Sequence, residues 1–306
     1  MVNETHARLY NMMILAIIWG LIILFIVQPD IAHDGAEAGA QLFIHALLPY
    51  LLPYIILTQW LLKMPDRPQK TPKWRRFMKA YVLGSFGGFP VGAVTVTEML
   101  KNGELSQRQS GLLVAACHAP GPMFIIGFVG TELFGDVSAG WKLLIAIHIA
   151  NITFFLIALL FLHQGDNKDN SLSQLPKKEK GMPLLDAIKE SSTIIILVAT
   201  TVIFFSSLGT ILSTAFTSVF TVEMGITKTF ALAIFEMTSG VQSATDHFYG
   251  MPIFPYLIAA IISLNGLSIH MQVFVIAKTR NIPMTPYLIG RIWSVIFVPI
   301  IFYFLY

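Results

Sequence analysis

The sequence predicts an all-α polytopic membrane protein: an inverted structural repeat with two re-entrant hairpins and two broken transmembrane helices. Three observations predict it. The 306 residues are 55% hydrophobic and only 12% charged, with a mean hydropathy of +0.69. Several apolar runs reach the roughly 20 residues that an α-helix needs to cross about 30 Å of hydrocarbon. Some of these runs are interrupted, at GSFGGFPVG (84–92) and CHAPGP (117–122) in the first half and at Ser239-Gly240 and SLNGLS (263–268) in the second. An α-helix satisfies its own backbone hydrogen bonds, whereas such breaks release N–H and C=O groups. Those groups cannot face lipid, so they must be buried in protein or line a wet cavity.

The first apolar run, 9–27, is longer than a signal-peptide core and lacks a small-x-small cleavage site, so it reads as a retained span. The stretch after it, QPDIAHDGAEAGA (28–40), holds Asp30, Asp34 and Glu37 without Lys or Arg and reads as a loop. A second span follows at 41–62, with Pro49 and Pro53 expected to kink it. Lys63, Arg67, Lys70, Lys73, Arg75, Arg76 and Lys79 then arrive together, opposed by Asp66. The positive-inside rule puts that loop in the cytoplasm and the acidic one outside.

The run 80–100 has Gly-Gly and Pro at its middle and basic or polar flanks on both sides. It is therefore read as a re-entrant hairpin entered from the cytoplasm, with its tip near 87–92. A single kinked span there would invert everything downstream. Segment 111–134 crosses outward, broken at 118–122, and 141–162 returns. The polar stretch 164–180, with Lys168, Lys177, Lys178 and Lys180, is a cytoplasmic linker. After a short interfacial helix at 183–192, the chain crosses outward at 193–212. It then forms a hairpin entered from outside at 228–249 and crosses inward at 255–278. The last span is 286–306. The result is one transmembrane domain over 1–306, made of an extra N-terminal span (1–40), a first repeat (41–163), a linker (164–182) and a second repeat (183–306). It sits in a bacterial cell membrane as a multi-pass protein. The N-terminus and basic loops are cytoplasmic and the C-terminus is outside.

The two halves match element for element. GSFGGFPVGA corresponds to FEMTSGVQSA, and ACHAPGPMFII to SLNGLSIHMQV. One set starts outside and the other inside, so their topologies are opposite. Discontinuous helices at matching positions of inverted halves point to a transporter's solute site near the midplane.

Within that site the ionisable residue is Glu236, next to the second hairpin's break. A carboxylate inside a span is costly and is a functional candidate by default. It is expected to bind a coupling cation, sodium for example, or to carry a proton; capping a freed backbone N–H is the plainer role. His118 and His270 occupy the corresponding broken helices and could hydrogen-bond an anionic solute or relay a proton. Bridging helices is the alternative for each. Ser85, Gln242, Ser243, Asn265 and Ser268 supply neutral donors and acceptors near the breaks, although such residues also join helices. Gly87, Gly88 and Gly121 allow tight turns and close backbone approach to a solute.

Other function classes fit less well. The single cysteine, Cys117, rules out an intrachain disulfide or a CxxC metal site, and neither His118 nor His270 has a second His, Cys or Asp at ligand spacing, so no metal and no cofactor are expected. There is no GxSxG or HExxH, and Cys117 and His118 are helix neighbours that do not face one another, so no enzyme is expected. No basic stripe is long enough for nucleic acid. A membrane scaffold without transport activity would want more soluble surface than the two basic loops provide. The expected partners are a small-molecule solute and the lipid bilayer, and the repeat is compatible with a monomer or a homo-oligomer.

GGFPVGA (87–93), ACHAPGPMFIIGFVG (116–130), FEMTSGV (235–241) and SLNGLSIHMQV (263–273) together resemble the nucleoside-recognition (Gate) domain superfamily, and within it the YlbJ-type sporulation integral membrane proteins. The resemblance implies a fold similar to a concentrative nucleoside transporter protomer and a nucleoside-like or dipicolinate-like cargo. It also implies a link to sporulation. Where that family has Cys-Asn-Asn, this chain has Cys117-His118-Ala119.

Overall fold

A computed structural model describes residues 2–64, 72–162, 182–219 and 223–306. Every regular element among them is helical. Among the described residues six helices are long and apolar enough to cross a membrane: Arg8–Val27, Pro29–Lys63, Val137–Leu160, Pro183–Val219, Phe254–Lys278 and Thr285–Leu305.

Helix α1 (Val2–Val27) ends at Gln28, where the chain turns into α2 (Pro29–Leu42). Apolar α1 side chains such as Leu9, Ile18, Trp19 and Ile26 are exposed, which suits a lipid surround. The acidic stretch expected to be a loop is instead this second helix. Its polar residues mask a small-residue face, in which Ala32, Gly35 and Gly39 are buried. That face seats on α8 (Pro183–Val219), where a Cβ on Gly35 would lie 2.8 Å from Thr210 and one on Gly39 2.7 Å from Ser206. Glycines four apart let two helix backbones approach, and the Ser207 hydroxyl then donates to the Ala32 carbonyl at 2.7 Å.

From α2 the helix continues through a π-helical turn (Phe43–Leu47) into α3 (Leu48–Lys63). The wide turn sits where Pro49 cannot donate and crowds the carbonyl one turn back. The expected short interfacial helix at 183–192 is not separate either; it forms the first turns of the 37-residue α8. At about 1.5 Å per residue α8 is longer than the hydrocarbon is thick. Its polar start therefore extends beyond the apolar layer, and there Glu190 pairs with Lys63 at 2.6 Å.

Two helical hairpins form the centre. The first is α4 (Lys73–Gly87) and α5 (Val91–Lys101), with its turn at 88–90. It starts inside the basic stretch, several residues before the apolar run. The second is α9 (Met224–Phe235) and α10 (Met237–Phe248). Its turn falls at Glu236 rather than at Ser239-Gly240, which lie in the first turn of α10. A broken helix follows each hairpin. In the first, α6 (Gln107–Cys117) gives way to extended backbone at His118 and resumes as a π-helical segment (Phe124–Leu133). In the second, α11 (Phe254–Leu264) and α12 (Gly266–Lys278) meet at Asn265, which has a left-handed φ of 74°. Helices α7 (Val137–Leu162) and α13 (Thr285–Leu305) close the two series and pack on each other.

The hairpins open towards opposite ends of the bundle. At one end Arg76 donates to the Glu104 carbonyl at 2.6 Å, Lys79 pairs with Glu104 at 3.2 Å, and Gln107 donates to the Arg280 carbonyl at 2.8 Å. At the other, Phe134 meets Phe254 and Tyr306, Tyr249 meets Phe254, and Lys142 donates to the Tyr306 carbonyl. The base of the first hairpin is at the former end and that of the second at the latter. The expected linker (164–180) and the Arg67–Lys70 part of the basic loop lie outside the described residues.

Candidate functional site

Each hairpin tip presses on the break in the next helix, backbone to backbone. Gly88, at φ 75°, abuts Gly121, and a Cβ there would stand 2.7 Å from the Gly121 nitrogen. Gly266, at φ 64°, abuts the second tip, where a Cβ would stand 3.0 Å from the Met237 nitrogen and 3.3 Å from the Glu236 Cα. At these two positions only glycine fits both the dihedral and the space.

Glu236 ends α9 in extended conformation and caps α10. Its Oε2 accepts the Ser239 backbone N–H at 2.6 Å, and its Oε1 accepts the Ser268 hydroxyl at 3.5 Å. The side chain is buried yet lines a cavity. Gaps between atoms there total about 440 Å³, part of it open to the surroundings. Phe89, Pro120, Gly121 and Phe124 of the first half face Glu236, Thr238, Ile269 and Gln272 of the second. Tyr50, on α3, and Val198 and Val202, on α8, complete the walls. Both hairpin tips and the first helix break therefore meet one space. Gln272 donates to the Thr201 hydroxyl at 2.8 Å while its buried Oε1 has no partner.

A second constellation lies across the breaks and centres on Tyr287, which is fully buried. Its hydroxyl is 2.8 Å from His270 Nδ1 and 3.4 Å from His118 Nε2, so one phenol joins imidazoles of the two broken helices. Asn265 ties the same groups together. With the amide oriented to satisfy its neighbours, its nitrogen donates to the Ile262 carbonyl at 2.7 Å. Its oxygen then accepts from His118 Nε2 at 3.2 Å and from Arg291 at 3.3 Å. Arg291 also donates to the Ala115 carbonyl at 3.1 Å and lies over the Tyr287 ring. The Phe89 ring, from the first hairpin's tip, packs 4.4 Å from the His118 ring centroid.

The structure thus places Glu236 and Gly121 around one cavity, with Ser268 behind them on the Glu236 carboxylate, and His118, Asn265 and His270 in one hydrogen-bonded cluster. Ser85 and Gly87 are buried in the first hairpin, and Gly88 serves its contact with Gly121. Ser243 bonds Thr229 across the second hairpin at 3.0 Å, and Gln242 bonds Asp246 at 3.0 Å on its outer side. Sequence reasoning missed Arg291, Tyr287 and Gln272. For Arg291 a signal was present, since it is a charge inside the last apolar run, the same criterion that drew attention to Glu236.

Comparison with known proteins gives one relative of note. The chain is 22% identical over 308 aligned positions to the sporulation integral membrane protein YlbJ of Bacillus subtilis (strain 168), covering 87% of this chain and 75% of that protein. No family model matches the chain. No solved structure matches it. That relative's name and the six apolar helices agree on a membrane location.

Proposed function

We propose that this protein is a secondary transporter or facilitator of a small polar or anionic metabolite, nucleoside-like or dipicolinate-like, and not an enzyme. In this reading the two series of span, hairpin, broken helix and span form an inverted repeat, arranged as in a concentrative nucleoside transporter protomer. One half moves against the other about a site at the hairpin tips. The observation that carries the proposal is the Glu236 carboxylate, buried in a cavity to which both hairpin tips and the first helix break contribute. Broken backbone meeting a buried charge at depth is how transporters build a solute site.

The roles follow from placement. Glu236 and the Ser268 hydroxyl present oxygens to a coupling cation or proton. Gly121 and the backbone of the first break face the solute from across the cavity, with Gln272 Oε1 as a further acceptor. His118, Tyr287 and His270 form a hydrogen-bonded line along which a proton could pass between the halves. The basic end of the bundle, with Lys79, Lys101 and Arg280, is cytoplasmic, which leaves the C-terminus outside.

The test is uptake by the purified full chain in proteoliposomes. It is preceded by a thermal-shift screen of nucleosides, pyridine dicarboxylates and amino acids with and without sodium. One solute class should stabilise the protein and be taken up. Glu236→Gln should lower that uptake roughly ten- to a hundredfold, the worth of one charged hydrogen bond. Uptake that survives unchanged in Glu236→Gln removes the carboxylate from the mechanism. Stabilisation by no solute, together with no uptake, favours the second reading, a sporulation-associated membrane protein or scaffold without transport activity, which the name of the B. subtilis relative equally accommodates.

A further inference from the structure

Arg291 carries a charge that no counter-charge among the described residues answers. Its side chain is only 5% exposed, within a helix long and apolar enough to span the membrane. Two of its nitrogens reach neutral acceptors, the Ala115 carbonyl and the Asn265 amide oxygen, and Nε has no partner. No carboxylate among the described residues pairs with it. The buried acid of the core, Glu236, commits its oxygens to Ser239 and Ser268 and lines the larger cavity instead. A buried cation without a counter-charge is strongly unfavourable, whereas one completed by a bound anion is not.

Arg291 lines a cavity of its own. Its polar walls are His118, Asn151, Ser263, Arg291 and Ser294, beside gaps that total about 190 Å³, part of it open to the surroundings. Two further buried nitrogens of this lining have no partner, Asn151 Nδ2 and His118 Nδ1. The Asn151 side chain is 2% exposed and the His118 side chain 1%. His118 already directs Nε2 at Asn265, so its Nδ1 donates only when the ring holds a second proton. Arg291 and Asn151 are then the donors with capacity to spare. The single proton of the Ser294 hydroxyl is shared between the Gly290 carbonyl at 2.9 Å and Asn151 Oδ1 at 3.4 Å.

We propose that this pocket between α6, α7, α11 and α13 binds a small monovalent anion of halide or formate size, held by Arg291 and Asn151. The narrow, largely buried space suits one anionic group rather than a whole metabolite. The site is separate from the solute reading above, because it depends on Arg291 and Asn151 and not on Glu236.

The experiment uses the full chain purified in detergent and exchanged into sodium gluconate. Bromide, chloride or formate is then titrated at constant sodium and ionic strength, and thermal unfolding is followed. The three small anions should raise Tm by several degrees along a saturable curve, and sulfate should not. Arg291→Gln should abolish the response. Asn151→Asp should also abolish it while remaining stable in gluconate, because a resident carboxylate replaces the anion. A Tm indifferent to the anion, or a response of equal size in both variants, overturns the proposal. So does stabilisation confined to bulky carboxylates such as pyridine dicarboxylate, which would assign the pocket to the solute's own headgroup. Should neither variant fold, bromide NMR on the wild-type protein decides: excess line broadening displaced by chloride is expected, and its absence overturns the site.

Discussion

At the scale of single residues, the positive-φ glycines of the two tip contacts, Gly88 and Gly266, and the buried charges Glu236 and Arg291 have different kinds of consequence. Gly88→Ala forces an L side chain into a dihedral that costs about 1–3 kcal/mol, and its Cβ would have to displace the Gly121 backbone. The expected outcome is loss of a monodisperse protein on size exclusion. Gly20→Ala is the control, since a Cβ there meets nothing within 4 Å, and its elution should match the wild type. Glu236→Ala should lower stability by about 0.5–2 kcal/mol through the lost cap on Ser239, with Glu236→Gln lowering it less. A thermal melt separates that structural cost from the loss of uptake. Glu236 was legible in the sequence because a carboxylate in an apolar run stands out. Arg291 met the same criterion, but its importance comes from the partners it lacks, and only coordinates show those.

Between elements, the informative contact is α2 on α8. Composition made 28–40 look like a loop, because Asp30, Asp34 and Glu37 occupy the outward positions while glycine and alanine occupy the inward ones. Glycine scores against a helix and alanine adds little apolar weight, yet the helical spacing of such small residues is the signal for close packing. Gly39→Leu would drive a side chain into Ser206 and the Ile203 backbone. About 1–3 kcal/mol of overpacking is expected, read as a lower melting temperature without loss of the α1 span. The hairpins and helix breaks were legible to within a few residues, since Gly-Gly-Phe-Pro and Pro-Gly-Pro dictate where helical bonding fails. The second hairpin was misplaced by one turn. Ser239-Gly240 looks like the break, but Glu236 supplies its own cap three residues earlier and restarts the helix there.

For the whole molecule, charge and contacts agree. Residues 76–79, 101–107 and 280 gather at one end, and 134–142, 249–256 and 306 at the other. Cysteine scanning tests the orientation on a favourable background, because the native Cys117 is fully buried. Ser138→Cys and Tyr249→Cys should react with a membrane-impermeant maleimide in intact cells. Lys101→Cys and Arg280→Cys should react only after permeabilisation. The reverse pattern would turn the molecule over. Membrane class and the order of elements were legible because hydrophobic length and positive charge are additive along a chain. The meeting of the two breaks was not, since it joins residues more than a hundred positions apart.

The phenol of Tyr287 has one consequence for how such a molecule can move. It grips His270, from its own half, at 2.8 Å, and His118, from the other half, at a looser 3.4 Å. The rocking proposed above would part the halves along a seam that also holds Arg291 to the Ala115 carbonyl at 3.1 Å, and the His118 contact is the longer of the two. A bulge of α13 away from α6 would unfasten His118 first and leave the tyrosine hooked to its own side; Tyr287→Phe deletes both bonds, so it should make that parting easier and also loosen the hold of α13 on His270.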